Sequence, residues 1–200
     1  MKIEVVSSHF NENLSWISRV KYPVKVFSKT IKDDNFIDFN KAQEAPAYLK
    51  FIIKNYYDLP DYTFFVHGHE FAYHQTDSIV NLINTCKFNN DFINLNRPDW
   101  VVTFDEFNIT NKYKTEWEWL KLSWDNLFFN YLPFPKKLTF PCSAQFCLSK
   151  KLIQNNNIQF YENAYKWARN TNLDNFISGR IFEYTWYYIF THREEFIDLI

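Results

Sequence analysis

Glycine is nearly absent from this sequence, since Gly68 and Gly179 are its only two glycines in 200 residues. Dinucleotide-binding loops (GxGxxG) and P-loops (GxxxxGK followed by Ser or Thr) each need at least two glycines a few residues apart. Because the two glycines lie in different halves of the chain, neither motif can occur. Any nucleotide must therefore be bound without a glycine-rich phosphate loop.

Short apolar runs alternate with segments of helical periodicity, which is typical of an α/β domain. Strands are predicted at 2–7, 22–29, 62–68, 98–107 and 138–149, the last interrupted by Pro141. Helices are predicted from an N-cap at Asn11 to residue 20 and at 44–60, 76–86, 115–132, 150–154, 159–170 and 173–190, with 193–200 extending the last. The first strand, helix and second strand form a β-loop-α-β unit, the usual opening of a nucleotide-binding α/β domain. The strongly apolar run 62–68 is expected at the centre of a parallel sheet.

Bulk composition argues against several partners. The net charge is −1 and the pI about 6.5, without clustered Lys or Arg, which disfavours nucleic acid and anionic membranes. No apolar run is long enough for a membrane span, and the first residues resemble a strand rather than a signal peptide. The three cysteines lack metal-type spacing and suit a reducing compartment. These features predict a cytoplasmic protein of one domain over residues 1–200, or a fragment of a longer multidomain chain, since the sequence ends on apolar FIDLI.

The stretch FFVHGHE places His67 and His69 on either side of Gly68, and His74 follows closely. Alternate side chains of a strand share a face, so the two imidazoles of HGH point the same way. Gly68 lacks a side chain where a ligand could approach. The imidazoles could ligate a divalent metal, Mn²⁺ rather than Mg²⁺, or donate to phosphate when protonated. Alternatively, one is a satisfied strand-end histidine and the other faces solvent.

Four acidic residues have two interpretations each. Asp77 is either a metal ligand beside His69 or the N-cap of the helix that follows it. Glu183 lies on an apolar helix, where a carboxylate needs a partner, so it is either paired with Arg180 or a general base. Asp105 and Glu106 end a strand, where ligand contacts gather, although a solvated loop is the simpler interpretation.

Several blocks carry a resemblance to a known family. VVSSHFNENLSWI resembles the first strand and nucleotide loop of A-type (GT-A) glycosyltransferases. Three further blocks stand in the order of a family of poorly characterised glycosyltransferase-like proteins: EAPAYLKFIIKNYYDLPDYTFFVHGHEFAYHQ, CSAQFCLSKKLI and SGRIFEYTWYYIF. Together they cover most of the chain. The sequence is also similar to the N-terminal glycosyltransferase domains that build capsid glycans in large algal viruses.

The resemblance implies a GT-A-like central mixed sheet flanked by helices, a nucleotide-sugar donor and a glycan or glycoprotein acceptor. GT-A enzymes usually carry Asp-x-Asp at the end of an inner strand, where it holds a metal against the donor diphosphate. That place here falls on His67-Gly68-His69, so this sequence departs from the family pattern at the metal-binding position.

The resemblance also implies site residues beyond the HGH stretch. The donor would contact Ser7, Ser8, His9, Phe10, Asn11, His67 and Gly68, and the proposed catalytic residues are Glu183 and His69. The acceptor would contact Gln145, His74 and Trp186 or Tyr184. The alternative for residues 7–11 is a helix N-terminus capped by Asn11.

The leading hypothesis is therefore transfer of a hexosyl or deoxyhexosyl group from a nucleotide sugar, a UDP-sugar by expectation, to a glycan hydroxyl. A metal-dependent hydrolase built on His67, His69 and His74 is a second hypothesis. A noncatalytic glycan-binding module is a third, because aromatic residues make up 21% of the chain and aromatic rings stack on sugars.

Overall fold

Strands and helices alternate along the part of the chain that the structure describes, which is residues 1–105, 111–128 and 131–196 of a computed structural model. The strands are β1 (Ile3–His9), β2 (Val24–Ser28), β3 (Tyr62–His67), β4 (Phe92–Asn94), β5 (Val101–Asp105), β6 (Lys137–Pro141) and β7 (Phe146–Ser149). The helices are α1 (Ala45–Asn55), α2 (Ile79–Thr85), α3 (Asn111–Phe128), α4 (Lys150–Ile153), α5 (Ile158–Asn170) and α6 (Asn175–Thr191), and a 3-10 helix spans Ser15–Arg19. The prediction of a mixed α/β domain is confirmed.

The main sheet has the strand order β2-β1-β3-β7-β4, and β5 and β6 form a separate two-stranded sheet. β1 runs parallel to both β2 and β3, whereas β7 runs antiparallel to β3 and β4. The sheet is therefore mixed, and β3 lies at its centre, as the apolar run 62–68 predicts. The expected parallel sheet is wrong, because β3 has one parallel neighbour, β1, and one antiparallel neighbour, β7. Successive side chains of β3 enter different cores: Phe65 packs with α1, α5 and α6, and Phe64 packs with Trp16 and α2. Helices thus cover both faces of the sheet.

The pairing of β1 with β3 positions the residues of interest. In this parallel register Ser8 lies opposite His67, so the two strands end at the same edge of the sheet. The turn after β1 and the HGH stretch after β3 are consequently neighbours. Trp16 strengthens this arrangement, because its buried Nε1–H donates to the carbonyl of Gly68 at 2.7 Å.

Residues 138–149 do not form the single strand that was predicted. They form β6 and β7, which belong to different sheets. Between the two strands Ser143 adopts φ 62°, in the left-handed region that non-glycine residues seldom occupy. The chain turns there and leaves one sheet for the other. β4, only three residues long, was not predicted.

Two helix predictions are also wrong. Residues 11–20 form only the 3-10 helix, whose N-cap is Leu14 without a side-chain cap, and Asn11 is exposed. Residues 193–196 do not extend α6, because His192 ends the helix in the left-handed conformation with φ 56°. Phe196 then donates its N–H to Thr139, which places this segment beside β6. Residues 197–200 lie outside the described part of the chain.

Aromatic side chains fill the larger core. Trp186 stacks between Phe182 and Phe190, with ring centroids 5.3 and 5.6 Å apart. Phe146 is 3% exposed and touches five rings, those of Tyr48, Phe65, Phe92, Trp186 and Phe190. Packing thus accounts for many of the aromatic residues. None of the helices within the described ranges is both long enough and apolar enough to cross a membrane.

We expect Phe146→Ala to lower the free energy of unfolding by about 3–5 kcal/mol, because it leaves a cavity where these five rings meet. Phe71→Ala is the matched control, since Phe71 is 67% exposed, and it should change stability by no more than about 0.5 kcal/mol. Urea denaturation of both variants measures this. Equal losses of stability in the two variants would contradict this arrangement of the aromatic core.

Candidate active site

A cavity of about 330 Å³ opens where β1 and β3 end. Its lining comes from the turn after β1, from the HGH stretch and from three neighbouring segments: Ser8, His9, Phe10, Glu12, Lys29, Asn40, Gln43, Glu44, His67, His69 and Asn175. We call it the β1–β3 cavity. The first turn and the two imidazoles of HGH thus line one cavity.

The turn after β1 is folded around the carboxylate of Glu12. Its Oε2 accepts hydrogen bonds from the backbone N–H of Phe10 at 2.6 Å and of Asn11 at 3.1 Å. His9 is held by Ser28 Oγ, 2.8 Å from its Nδ1. The N–H groups that would otherwise be free for a phosphate are thus already occupied by this carboxylate.

The predicted donor residues of β1 and its turn are only partly placed at the cavity. Ser8, His9 and Phe10 line it. Ser7 is fully buried and its hydroxyl lies 3.4 Å from the carbonyl of His67, and Asn11 is exposed and does not belong to the lining. The structure therefore does not support donor contacts for these last two residues.

Gly68 is required by close packing within the chain. A Cβ at this position would lie 2.7 Å from Glu12 Oε2 and 3.0 Å from the carbonyl oxygen of Ser8. The close approach expected at this glycine is thus made by the turn after β1. The missing side chain lets the Glu12 carboxylate lie against the HGH stretch.

His67, His69 and His74 form a cluster, which we call the histidine cluster. One ring nitrogen of each lies within 4.8 Å of one from each of the others. The Nε2 atoms of His67 and His69 are buried and have no hydrogen-bond partner among the described residues. His74 is buried, with Nδ1 2.8 Å from Asn96 Oδ1.

All three imidazoles are held in their neutral form. Burial lowers the pKa of His67 well below its usual value, and the rings of His69 and His74 lower it further. Burial also lowers the pKa of His69 and of His74. Neutral rings can ligate a metal but cannot provide positive charge for phosphate, so metal ligation is the better of the two predicted roles.

Asp77 is not a member of the histidine cluster, and its predicted role as a metal ligand is wrong. Its carboxylate is exposed and accepts from Ser78 N at 2.6 Å and from Asn81 Nδ2 at 3.1 Å. The N-cap of α2 is Ser78, whose hydroxyl accepts from Asn81 N. Asp77 therefore supports the start of this helix from the preceding position.

An ionisable pair that sequence reasoning missed, Lys29 and Glu44, lies in the β1–β3 cavity. Burial lowers the pKa of Lys29 to about 8, although the charges of Glu44 and Glu12 oppose this. Burial raises the pKa of Glu44 to about 8, and the charge of Glu183 adds to that increase. At neutral pH Lys29 is therefore mostly charged and Glu44 mostly protonated.

Glu183 lines a different cavity, of about 500 Å³, which we call the Glu183 cavity. Its other lining residues are Tyr73, Asp99, Trp100, Val101, Val102, Glu116, Cys142, Ser143, Arg180 and Tyr184. Glu183 Oε1 accepts from the backbone N–H of Ser143 at 2.7 Å, and burial raises its pKa. Arg180 donates instead to the hydroxyl of Tyr184 at 2.6 Å.

Two predicted acceptor residues belong to the lining of neither cavity. Gln145 is fully buried, where its Oε1 accepts from the backbone N–H of His67 at 3.2 Å. Trp186 is buried in the aromatic core. Neither side chain can reach an acceptor in this structure, so these two assignments are wrong. Asp105 ends β5, and Glu106 lies outside the described residues.

The two cavities are joined by a short series of hydrogen bonds. Asn96, which contacts His74, donates from Nδ2 to the carbonyl of Ser143 at 2.7 Å, and the N–H of Ser143 reaches Glu183. Tyr73, which lines the Glu183 cavity, packs against His74 with ring centroids 5.3 Å apart. The histidine cluster therefore adjoins both cavities.

Gly68→Ala should lower the free energy of unfolding by about 1–3 kcal/mol, because its Cβ overlaps the Glu12 carboxylate and the Ser8 carbonyl. The same substitution in a Glu12→Ala background should cost less, since one of the two clashes is gone. Denaturant unfolding of the four proteins gives the coupling energy. If Gly68→Ala lowers the free energy of unfolding equally in both backgrounds, the packing of Glu12 on Gly68 is contradicted.

The raised pKa of Glu44 predicts a pH dependence of stability. The folded chain holds this proton more tightly than the unfolded chain, so stability should fall as pH rises from 4.5 to about 8. Glu44→Gln should remove this contribution, which is at most about 1.4 kcal/mol per pH unit. Urea denaturation at pH 5 and pH 8 compares the two proteins. Parallel pH profiles would show that Glu44 ionises normally.

The family of this chain follows from comparison with known proteins. No curated protein and no solved structure gives a significant match to the chain. A family model described as "Protein of unknown function (DUF3431)" matches residues 5–198, nearly the whole sequence. The chain therefore belongs to the DUF3431 family.

Proposed function

We propose that this protein is a glycosyltransferase that moves a sugar from a nucleotide-sugar donor, a UDP-sugar by expectation, to a glycan hydroxyl. The observation that carries the proposal is the β1–β3 cavity, which is lined by the first turn and by both imidazoles of HGH. In α/β sheets, ligands bind beyond the carboxyl ends of parallel strands, and this cavity lies at such an edge. The HGH stretch also ends an inner strand, where GT-A enzymes carry Asp-x-Asp.

The charges in the β1–β3 cavity suit a diphosphate. Lys29 is held in place by Asn40 Oδ1, 3.1 Å from its Nζ, and supplies a cation. Glu44, protonated at neutral pH, adds a hydrogen-bond donor in place of a negative charge. Glu12 is the remaining carboxylate, and two backbone N–H groups already bind it.

The Glu183 cavity suits the acceptor. Tyr73 and Trp100 form an edge-to-face pair on its wall, with ring centroids 5.4 Å apart, and Tyr73 is 75% exposed. Aromatic faces of this kind pack against sugar rings. Glu183, with a pKa raised by burial, would accept the proton of the attacking hydroxyl. In this proposal the histidine cluster lies between donor and acceptor, and His74 adjoins the acceptor through Tyr73.

A metal-dependent hydrolase is the second candidate, and the three-histidine cluster is the observation that favours it. Zinc hydrolases use three protein ligands and a bound water. The two functions differ in their products. A transferase forms a new glycoside only when an acceptor is present, whereas a hydrolase releases free sugar or phosphate without one.

Nucleotide-sugar binding should depend on Lys29, because a diphosphate needs a cation in the β1–β3 cavity. We expect Lys29→Gln to weaken UDP-sugar binding at least about tenfold at pH 7, the usual effect of losing one charge-assisted contact. Isothermal titration with a panel of UDP-, GDP- and TDP-sugars measures this, in the presence and absence of a divalent metal. Lys87→Gln is the control, since Lys87 is exposed on another surface.

The same titrations show whether the donor binds in the β1–β3 cavity. Lys87→Gln should bind as the wild type does, and affinity should fall above about pH 8, where Lys29 loses its charge. Binding of no nucleotide sugar under any of these conditions would count decisively against the transferase. Equal affinities for the two lysine variants would place the donor elsewhere.

A further inference from the structure

We propose that His67, His69 and His74 form a binding site for one divalent ion of the zinc class (Zn²⁺, Co²⁺ or Ni²⁺) with three imidazole ligands. The site itself is inferred from the geometry of the histidine cluster alone. The additional statement that this ion contacts the donor diphosphate rests on the proposed function.

The spacing of the ring nitrogens is suitable for one ion. Nitrogens that ligate a single Zn²⁺ at about 2.0–2.1 Å lie about 3–4 Å from one another. The three candidate nitrogens all lie within 4.8 Å of one another, so small rotations of the side chains bring them to an ion. His67 and His69 also line the β1–β3 cavity, which gives an ion and its further ligand a route of entry.

Two buried nitrogens of the cluster have no hydrogen-bond partner in the described part of the chain, the Nε2 atoms of His67 and His69. A buried polar atom left unsatisfied destabilises the fold, so two on adjacent rings are unusual unless something binds them. A shared cation would satisfy both.

The third ligand is set in the correct tautomer by Asn96. The amide Nδ2 of Asn96 faces three acceptors, the carbonyls of Ser143 and Gln145 and Asn94 Oδ1, at 2.7, 3.1 and 3.1 Å. The amide oxygen must therefore be the atom that faces His74 Nδ1, 2.8 Å away. Since that oxygen only accepts, Nδ1 carries the proton and Nε2 keeps its lone pair. Histidines that bind metals are typically oriented by such a second hydrogen bond.

The chemistry of the ligands selects the class of metal. Among the residues that the structure describes, the cluster consists of three imidazoles and contains no carboxylate. Imidazole suits zinc, nickel, copper and iron, whereas Mg²⁺ and Mn²⁺ prefer oxygen ligands. The Mn²⁺ expected from HGH alone is thus replaced by a zinc-class ion. Three protein ligands leave a coordination position open for a water or a substrate oxygen.

Zinc titration of the chelator-treated full-length protein tests the proposal. We expect one Zn²⁺ per chain by calorimetry, a Co²⁺ visible spectrum of low coordination number, and Mn²⁺ binding at least about 100-fold weaker. His69→Ala should weaken zinc binding at least about tenfold, and since His69 is only partly buried this variant should fold. His192→Asn is the control, because His192 is exposed outside the cluster and asparagine tolerates its left-handed backbone.

Circular dichroism of each variant without metal establishes that it is folded before binding is compared. Zinc affinity that is unchanged in both His69→Ala and His74→Ala, or tighter binding of Mn²⁺ than of Zn²⁺, would overturn the proposal. So would a stoichiometry near zero for the wild type. Equal losses in His69→Ala and the His192→Asn control would assign the ion to another site.

Adding a UDP-sugar to the same titrations separates this proposal from the proposed function. Zinc binding at the cluster without binding of any nucleotide sugar would uphold the metal site and count against the transferase. Tight donor binding that needs neither zinc nor His69 would uphold the transferase, and the zinc titration alone would then decide on the metal site.

Discussion

The parallel pairing of β1 with β3, in which Ser8 faces His67, determines where this molecule can do chemistry. A slip of one residue would exchange the two faces of β3, which place Phe64 in one core and Phe65 in the other. Because the two strands end at the same edge of the sheet, the turn after β1, which is folded around Glu12, lies beside the HGH stretch. The hydrogen bond from Trp16 to the carbonyl of Gly68 then holds the edge of the β1–β3 cavity in place.

The scarcity of glycine has a consequence for how this site can hold an anion. In glycine-rich loops, backbone N–H groups surround the phosphates. Here the corresponding N–H groups of Phe10 and Asn11 are bound by the Glu12 carboxylate, and the glycine of HGH makes room for that carboxylate. A diphosphate in this cavity would therefore rely on side chains and on a metal ion. Lys29 and the histidine cluster are the groups that the fold places there.

The sequence alone predicted the features that local patterns encode. The apolar runs of β1 and β3 and the helical periodicity of α1, α3 and α5 were recognisable, and so was the grouping of His67 and His69. The turn at Ser143 was not, because a left-handed serine carries no reliable sequence signal. The short strand β4 was missed for a similar reason, since its three residues, all only partly buried, show too little alternation.

The remaining differences between the sequence-based predictions and the structure come from tertiary contacts. Trp186 looked suited to a sugar-binding site but completes the core, because every residue from Tyr184 to Phe190 of its helix is buried. Lys29 and Glu44 come from separate segments and meet only when β2 and α1 pack beside β1, so no spacing in the sequence reveals them. The run NE after β1 contained a usable signal for Glu12, because a carboxylate directly after a parallel strand lies near the ligand edge of the sheet.

In the proposed function, the turn after β1 and the HGH stretch together form one donor site. A crystal structure of the protein soaked with a UDP-sugar that it binds, together with Zn²⁺, is the decisive test. We expect electron density for the diphosphate in the β1–β3 cavity, against Ser8, Phe10 and Lys29, with an anomalous zinc signal at His67, His69 and His74. Density for the donor in the Glu183 cavity or on another surface, with the β1–β3 cavity empty, would contradict it.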